Sequence, residues 1–342
     1  MRPKTRNDFA VAIICALTLE ADAVEALFDE TFDRLGRYYG KQPGDKNTYI
    51  NGRVGNHNVV LCYLPGMGKE GAASVASALG ISYPRIDVAL VVGICGGAPA
   101  PLLLPAQQIY LGDVIISDSV IIYDFGRQYP GGFPRKMNVK DTLGRPDLEI
   151  RILLAALKSS RSQSEFQNLM LQNLRMLQQG ETRWRHPESE DILYEPSYLH
   201  KHIAQSSSKQ CCCVTGDSPF DICDEALEMD CQDLQCNKNQ IMRRRNRTTS
   251  AEVNMHIGPI ASADAVMKSA EHRDAIARKE GILGFEMEAA GVWDNIPTII
   301  LKGVCDYADS HKSKTWQFYA AATAASAAKA FLEYWRPGGK EG

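Results

Sequence analysis

The run Val88-Ala89-Leu90-Val91-Val92-Gly93-Ile94-Cys95-Gly96-Gly97 is almost wholly apolar and ends in glycines. A short apolar run bounded by turn residues is typical of a strand that is buried on both faces. Similar runs alternate with helical patterns over residues 9–123, and the alternation returns over residues 256–304, before an Ala-rich helical stretch at 316–335. This rhythm predicts a three-layer α/β/α fold around a central mixed, largely parallel twisted sheet.

The alternation breaks between about residue 143 and residue 250, where Ser/Gln-rich, cysteine-rich and arginine-rich pieces follow one another. Helical patterns persist there, but apolar residues are too sparse over much of the stretch to offset the entropy of ordering it. We therefore predict a single domain over residues 8–336, interrupted by an insertion at residues 143–250 that is partly mobile.

Composition excludes several classes of partner. The formal net charge is -3 and the pI is about 6.2, so the chain has no global basic field that would attract nucleic acid. Its apolar stretches are shorter than the roughly 20 residues of a membrane-spanning helix, and its first residues carry no signal-peptide pattern. We expect a cytoplasmic protein with no nucleic-acid or membrane partner.

The ten cysteines fall into two groups. Four lie in apolar, strand-like runs and are predicted to be buried, reduced thiols: Cys15, Cys62, Cys95 and Cys305. The other six crowd one stretch together with His200 and His202: Cys211, Cys212, Cys213, Cys223, Cys231 and Cys236. Because no Cys-x-x-Cys pair occurs among them, a structural zinc is kept only as the alternative interpretation. We predict no metal and no cofactor.

Two acidic residues follow predicted strands. Glu288 comes after the apolar run at residues 282–285, and Asp306 directly follows the run at residues 298–305. The carboxyl ends of strands form the edge at which open α/β sheets place their sites. Taken alone, Glu288 and its neighbour Glu286 also fit a solvated strand end, and Asp306 fits a helix or turn cap.

Together the two positions say more. Glu286-Met287-Glu288-Ala289-Ala290, followed by a strand and by Cys305-Asp306-Tyr307-Ala308-Asp309, resembles the paired signature of the nucleoside phosphorylase/nucleosidase superfamily. That family includes purine nucleoside and uridine phosphorylases and methylthioadenosine/adenosylhomocysteine nucleosidases. The resemblance implies that Glu288 binds the ribose hydroxyls, that Met287 packs against the sugar, and that Asp306 gives a proton or hydrogen bond to N7 of a purine. It also implies a homo-oligomer.

A third acid, Glu20, opens the helical pattern after the first strand. Its position alone favours a first-turn glutamate that is stabilised by the helix macrodipole. In the resembled family, however, hydrolytic members carry the glutamate that activates water at the corresponding place. Phosphorylases have a Gly-Asp-Pro-x-Arg-like loop there, and this chain lacks one. The resemblance therefore implies that Glu20 is the general base for water.

The glycines after residue 92 bear on the identity of the nucleophile. Taken alone, Gly93-Ile94-Cys95-Gly96 is typical of a tight turn that requires positive φ. It also resembles the family's site turn, near which phosphorylases place an arginine and a serine or threonine. The matching positions here hold Val91 and Ile94, which offer a phosphate dianion neither charge nor hydrogen bonds. Hydrolysis is therefore the expected reaction.

Further segments narrow the resemblance. Tyr123-Asp124-Phe125-Gly126, residues 260–264 and the stretch 305–325 are similar to the nucleosidase-like domains at the amino termini of fungal NLR-type (NACHT or NB-ARC) proteins. The similarity covers nearly the whole predicted core, and the cysteine-rich middle matches least well. It implies that adenine nucleotides, ATP among them, belong to the candidate substrates.

Cations and aromatic side chains complete the predicted site. Arg127, Arg135 and Lys136 flank a Gly-rich segment that suits phosphate oxygens at the 5′ end of a nucleotide, although a solvated loop explains them equally well. Ser262 is expected near the base from its family position. Three phenylalanines compete to stack on the purine: Phe220, Phe285 and Phe318.

The sequence therefore predicts a purine nucleosidase that hydrolyses adenine nucleosides or nucleotides to free base plus ribose or ribose phosphate. The first alternative is a phosphate-dependent purine nucleoside phosphorylase that gathers phosphate through residues such as Arg53 or Arg127. The second is a non-catalytic nucleotide-binding or scaffold domain of an immune receptor. The joint presence of Glu20, Glu288 and Asp306 speaks against this second alternative, because a purely structural descendant has no physical need for all three.

Overall fold

One mixed sheet of nine strands organises the fold in this computed structural model, which describes residues 2–99, 108–130, 133–136, 143, 145–202, 211–216, 222–244 and 252–336. The strands are β1 (Val11–Cys15), β2 (Glu30–Arg34), β3 (Tyr49–Val54), β4 (His57–Tyr63), β5 (Val88–Gly97), β6 (Val114–Ile122), β7 (Met255–Ser262), β8 (Gly284–Glu286) and β9 (Thr298–Asp306).

The helices of the described residues connect and follow these strands. They are α1 (Thr18–Glu25), α2 (Lys69–Ser82), α3 (Leu148–Leu157), α4 (Ser160–Gly180), α5 (Cys212–Thr215), α6 (Asp224–Glu228), α7 (Ala270–Glu280), α8 (Ala289–Val292) and α9 (Gln317–Tyr334). None of these helices combines the length and the apolar character that crossing a membrane requires.

The sheet closes on itself in one half. Its strand order is β2-β3-β4-β1-β5-β8-β7-β6-β9, and β5 also pairs with β9. The strands β5, β8, β7, β6 and β9 therefore form a closed ring, from which β1, β4, β3 and β2 extend. Five of the described pairings are parallel and four are antiparallel. The predicted mixed α/β fold around a central sheet is confirmed. The ring itself was not predicted, because apolar runs mark strands but not their partners.

The central strands are buried along nearly their whole length. All five residues of β1 are buried, as are nine of ten in β5 and eight of nine in β9. Strands that are covered on both faces have continuous apolar runs instead of alternating ones, which explains why the run at 88–97 signalled a strand. Lys302 is the exception in β9, because it is charged and only 1% exposed.

Helix α9 packs closely on this sheet through small residues. Alanine favours the helix intrinsically, and a helix that is apolar on all sides is expected to be buried. Thirteen of its residues are buried, most of them alanines. At the closest approach, a Cβ atom on Gly303 of β9 would overlap the carbonyl oxygen of Ala320. Glycine at position 303 is therefore what allows the strand and the helix to touch.

The region between β6 and β7 contains two different parts. Helices α3 and α4 join the main core, where the ring of Phe166 lies 6.0 Å from that of Tyr334 and the Asn173 amide donates to the Ser326 carbonyl at 3.1 Å. The cysteine-rich unit, described at residues 194–202, 211–216 and 222–241, has a small apolar cluster of its own. Residues 203–210, 217–221 and 245–250, within the segment predicted to be partly mobile, lie outside the described residues.

Replacing Gly303 tests the contact between β9 and α9. Gly303→Ala is expected to lower the free energy of unfolding by about 1–3 kcal/mol, because the added methyl group forces α9 away from β9. Urea denaturation followed by circular dichroism measures the change.

Gly80→Ala is the matched control. Gly80 lies inside α2, and among the described residues no atom beyond its chain neighbours and the backbone of its own helix lies within 4 Å of its Cβ position. Because alanine is favoured over glycine in a helix by roughly 0.5–1 kcal/mol, this variant is expected to be as stable as the parent or more so. Equal destabilisation of the two variants would contradict the close packing at Gly303.

Candidate active site

A cavity of about 450 Å³ opens at the carboxyl ends of β5 and β9, and its size is within the usual range of small-molecule sites. The first turn of α1, the ends of β5, β8 and β9, and the residues that follow β8 and β9 line it. Residues 227–230 of the cysteine-rich unit and residues 312–314 also contribute to the lining.

Glu20 brings a buried carboxylate to this cavity. It is 2% exposed, and its Oε2 accepts the backbone N–H groups of Ala16 and Leu17, both at 2.9 Å. Its Oε1 accepts the N–H of Ile94 at 2.8 Å. A Cβ atom on Gly93 would overlap Oε1, so glycine is what lets β5 approach the carboxylate. Glu20 is therefore both a first-turn helix residue and a cavity residue.

Burial raises the pKa of the Glu20 carboxyl above its ordinary value. The Lys302 ammonium and the backbone N–H groups oppose this shift, whereas the charge of Glu288 adds to it. A carboxylate whose pKa is raised towards neutrality is a stronger base than an exposed one, which is the property that general base catalysis requires.

Lys302 holds two more carboxylates beside this one. Its Nζ lies 2.8 Å from Glu288 Oε2 and 3.5 Å from Glu286 Oε2. Glu286 also accepts the backbone N–H groups of Glu288 and Ala289 at 3.0 Å. The Lys302 ammonium holds the Glu288 carboxylate, and Glu286 accepts backbone N–H groups next to it. The carboxylate of Glu288 therefore has a defined position at the cavity.

The two carboxyl groups have opposite pKa shifts. Burial would raise the pKa of Glu288, but the adjacent Lys302 ammonium outweighs burial and holds that pKa below its ordinary value. Burial raises the pKa of Glu286, and the charge of Glu288 adds to the increase despite Lys302. Burial would likewise lower the pKa of Lys302, but Glu288 and Glu286 raise it. Glu288 is therefore ionised and can accept hydrogen bonds from hydroxyl groups.

Asp306 is the last residue of β9, and its Oδ2 lies 3.3 Å from the Cys305 sulfur. Its Oδ1 accepts the N–H of Ala308 at 2.8 Å, and its Oδ2 lies 3.3 Å from Lys312 Nζ. A Cβ atom on Gly96 would lie 2.8 Å from Oδ1, so a glycine again admits a side chain from a neighbouring element. Burial would lower the pKa of Lys312, but the charge of Asp306 raises it overall.

The structure brings most of the residues singled out from the sequence to this cavity. Those that line it are Glu20, Ile94, Cys95, Gly96, Phe285, Met287, Glu288 and Asp306. Ser262 is buried and does not line the cavity, and its hydroxyl accepts the N–H of Ala290 at 3.2 Å. Phe318 is 39% exposed and lies 5.7 Å from the Arg183 guanidinium. Phe220 is outside the described residues.

The three cations predicted to bind phosphate lie elsewhere. Arg135 pairs with Glu280 at 2.9 Å, and Lys136 lies 4.8 Å from the ring of Phe125. Arg127 donates its backbone N–H to the Pro134 carbonyl at 3.0 Å. Among the described residues that line the cavity, none of the three cations is found. They therefore do not share a site with Glu20, Glu288 and Asp306.

Two structural interpretations of the sequence are wrong. Glu286 and Glu288 do not form a solvated strand end, because they are 5% and 4% exposed and Lys302 offsets their charge. The glycines after residue 92 do not form a tight turn with positive φ, because β5 continues to Gly97 and positive φ is absent there. They are needed for the close approach of Glu20 and Asp306.

Lys302 is the buried site residue that the sequence analysis missed. A lysine inside the apolar run at residues 298–304 was the available signal, because a buried ammonium group requires a paired carboxylate. Lys268 and the segment 227–230, which also line the cavity, lie in no motif or periodic pattern that would have indicated them, and Lys314 lies in the resembled stretch 305–325 but was given no role.

Two groups of side chains in the described residues have the composition of metal sites. One contains His202, Cys211, Cys213 and Cys223, and the other contains His200, Cys231 and Cys236. Both groups belong to the cysteine-rich unit, and neither supplies a residue to the lining of the cavity.

Known proteins resemble this chain in sequence and in fold. A family model described as "Phosphorylase superfamily" matches residues 10–164, which contain β1, α1 and β5. This part of the chain is therefore similar to the phosphorylase superfamily. An NLR-like nucleotide-binding leucine-rich repeat protein of Hyaloscypha variabilis is 30% identical over 333 residues. The match covers 95% of this chain but only 29% of that protein. The predicted resemblance to this superfamily and to NLR-type proteins is confirmed.

Solved structures of a futalosine hydrolase and of an MTA/SAH nucleosidase have the same fold as this chain. Futalosine hydrolase of Helicobacter pylori is 13% identical with a TM-score of 0.54, and the match covers 96% of this chain and 99% of that one. The MTA/SAH nucleosidase of Streptococcus pneumoniae, solved with 8-aminoadenine, is 16% identical with a TM-score of 0.53, over 96% and 100% of the chains. At these identities the likeness shows the fold alone.

Removing the Lys302 ammonium tests the cluster of buried charges that it forms with Glu286 and Glu288. Lys302→Met is expected to lower the free energy of unfolding by about 3–5 kcal/mol near neutral pH, because it leaves buried carboxylates without a partner. Without the ammonium, burial raises the folded-state pKa of those carboxyls above the unfolded value, so stability falls as pH rises through the folded-state pKa. The cost should therefore be smaller at about pH 5 than at about pH 8.

Urea denaturation at both pH values measures this effect. Lys158→Met is the control, since Lys158 forms an ion pair with Asp118 at the surface and its side chain is 53% exposed. Its expected cost is about 0–1 kcal/mol. A pH-independent cost for Lys302→Met, or a cost no larger than that of the control, would contradict the account of the cluster.

Proposed function

We propose that the chain is a purine nucleosidase that hydrolyses the N-glycosidic bond of adenine nucleosides or nucleotides. The observation that carries the proposal is the convergence of Glu20, Glu288 and Asp306 on one cavity. Cleavage of this bond passes through an oxocarbenium-like ribose, so it needs a nucleophile, a sugar contact and a proton for the departing base. Three acids in three different environments fit these three tasks.

Glu288 and Met287 are assigned to the ribose. The Glu288 carboxylate is ionised beside Lys302 and can accept hydrogen bonds from the 2′- and 3′-hydroxyls. Its negative charge also favours the positive charge that develops on the sugar in the transition state. Met287 lines the cavity next to it and supplies an adaptable apolar surface for the ring.

Glu20 is assigned to the attacking water. Oε1 accepts one described hydrogen bond, from Ile94, whereas a carboxylate oxygen can accept two. A water that donates to Oε1 would therefore be fixed at the cavity wall next to the carboxylate. The raised pKa of Glu20 favours transfer of a proton from that water as it attacks C1′.

Asp306 and Phe285 are assigned to the base. Asp306 holds one oxygen on the Ala308 N–H and the other beside Lys312, so the carboxyl group is oriented before substrate binds. A proton or hydrogen bond from this group to N7 would let the purine leave as a neutral base. Phe285 lines the cavity and packs edge-on against Tyr123, with ring centroids 5.7 Å apart.

Water is favoured over phosphate as the nucleophile by charge. No arginine is among the described residues that line the cavity, and Ile94 is the aliphatic residue at the site turn. Val91, which was weighed with it, is 2% exposed within β5 and does not reach the cavity. Lys302 is already paired with Glu288, and the Glu20 carboxylate would repel a phosphate dianion.

Two lysines at the cavity support an anionic substrate. Lys268 and Lys314 line it and can meet 5′-phosphates, although Glu228 and Asp230 also line it and partly balance their charge. Nucleotides therefore stand beside nucleosides in the proposal, and ATP is included because the relative is an NLR-like nucleotide-binding protein. A homo-oligomer, as expected from the resemblance, is part of the same proposal.

A substrate panel in phosphate-free buffer tests the proposed reaction. Adenosine, AMP, ADP, ATP and guanosine are incubated with the chain, and free base is measured by chromatography. Release of adenine supports the nucleosidase. Release only after phosphate is added would favour the phosphorylase alternative, and calorimetric binding of a nucleotide without any product would favour the non-catalytic alternative.

Replacing Glu20 tests its assignment. Glu20→Gln is expected to lower kcat by about 10²–10⁴-fold, the usual contribution of a general base, with a smaller change in KM. The kcat/KM of the parent should fall with decreasing pH through a pKa above the ordinary glutamate value of 4.5, because the base must be ionised. The residual activity of the variant should lack this acid limb.

Glu70→Gln serves as the control for this substitution. Glu70 also lies in the first turn of a helix, α2, but it is exposed and does not line the cavity. Its kinetics and pH profile are expected to match the parent. An unchanged turnover in Glu20→Gln, or an acid limb that survives the substitution, would remove Glu20 as the base.

A further inference from the structure

The cysteine-rich unit gathers four potential metal ligands at one point. The Nδ1 of His202 and the sulfurs of Cys211, Cys213 and Cys223 all lie within 4.8 Å of one another. Two sulfur–nitrogen distances are shorter, with Cys211 Sγ and Cys223 Sγ at 3.5 and 3.4 Å from His202 Nδ1. Three thiols and one imidazole form a ligand set typical of structural zinc sites.

These distances match a tetrahedral zinc centre. With Zn–S bonds of about 2.3 Å and Zn–N bonds of about 2.0–2.1 Å, a tetrahedron separates sulfur from nitrogen by about 3.5 Å and sulfur from sulfur by about 3.8 Å. The backbone N–H of Cys223 also donates to Cys213 Sγ at 3.2 Å. Hydrogen bonds of this kind orient a thiolate and stabilise its charge at metal sites.

A second group repeats the pattern with three ligands. His200 Nδ1 lies 3.6 Å from Cys231 Sγ and 3.4 Å from Cys236 Sγ, and the three ligand atoms lie within 4.8 Å of one another. The other ring nitrogen, Nε2, lies 2.9 Å from the Met229 carbonyl oxygen. A proton on Nε2 that is donated to this carbonyl leaves the Nδ1 lone pair directed at the two sulfurs, which is the usual tautomer arrangement of a metal-bound histidine.

We propose that the cysteine-rich unit binds two zinc ions. One is held by His202, Cys211, Cys213 and Cys223, and the other by His200, Cys231 and Cys236. The first set closes a four-coordinate site, whereas the second supplies three ligands and leaves the fourth position to water. Both centres would stabilise the fold of a small unit with little apolar core. On binding, the coordinating thiols release their protons to solvent and bind as thiolates.

The two centres would hold both ends of one wall of the cavity. The segment between Cys223 and Cys231 contains α6 and residues 227–230, which line the same cavity as Asp306 and Lys314. One centre therefore fixes the start of this segment and the other fixes its end. Without metal, the segment retains the small apolar cluster around Ala226 and Leu234 but loses the covalent anchors at both ends.

Metal content tests the proposal without reference to activity. The chain is purified with a reductant and without chelators, and its zinc content is measured by inductively coupled plasma mass spectrometry. About two zinc ions per chain are expected. Replacement by Co²⁺ should give the visible absorption of a tetrahedral thiolate site. Because this measurement needs no substrate, it is independent of whether the proposed nucleosidase reaction occurs.

Variants assign the ions to their ligands. Cys213→Ser and His202→Ala should each reduce the content to about one zinc, and Cys236→Ser should do the same through the other centre. Cys212→Ser is the matched control, because Cys212 lies between two ligands but belongs to neither group, and it should retain both ions. Circular dichroism reports whether each variant keeps the main core, which is separate from the cysteine-rich cluster.

Several outcomes would overturn the proposal. These are a zinc-free chain after purification, unchanged zinc in Cys213→Ser and His202→Ala, or disulfide bonds among these cysteines after alkylation under non-reducing conditions. If an activity is found, removal of zinc by a chelator should raise KM several-fold more than it lowers kcat, because the wall at residues 227–230 contacts the substrate rather than the reacting bond. An unchanged KM would show that zinc does not affect substrate binding, and would contradict the claim that the two centres fix the cavity wall at residues 227–230.

Discussion

The ammonium group of Lys302, buried beside Glu288 and Glu286, is the interaction on which the rest of the site depends. Two carboxylates so close together at the end of a sheet would repel each other and remain partly protonated without a cation between them. The 2.8 Å contact to Glu288 Oε2 allows that carboxylate to stay ionised at 4% exposure. Burial raises the pKa of the Glu20 carboxyl. The Lys302 ammonium, which forms no ion pair with Glu20 in the described residues, offsets that increase only in part.

Glycines determine how closely these acids come together. Gly93 makes room for the Glu20 carboxylate and Gly96 for that of Asp306, so both acids reach β5 from neighbouring elements. The closed half of the sheet contributes as well, because the pairing of β5 with β9 sets Gly96 opposite Asp306. The geometry of the site therefore follows from strand pairing and from missing side chains as much as from the acids themselves.

The sequence predicted the central strands and several of the residues that line the cavity, for physical reasons that can be named. Continuous apolar runs marked β1, β5 and β9, and the acids at strand ends marked Glu288 and Asp306. The ring of strands could not be read from such runs, because pairing between distant segments leaves no local signal. Lys302 was missed because its role depends on partners 14 and 16 residues away in the chain. The two groups that we propose to bind zinc were not recognised, because their side chains converge through folding and not through a short Cys-x-x-Cys spacing.

We propose that water, activated by Glu20, attacks a ribose held by Glu288. Phosphorus-31 nuclear magnetic resonance of one reaction that contains adenosine and excess inorganic phosphate tests it most directly, with released adenine measured in the same sample. If water is the nucleophile, adenine accumulates while the phosphate signal stays unchanged and no sugar phosphate appears. A ribose 1-phosphate resonance that grows in step with adenine would contradict it.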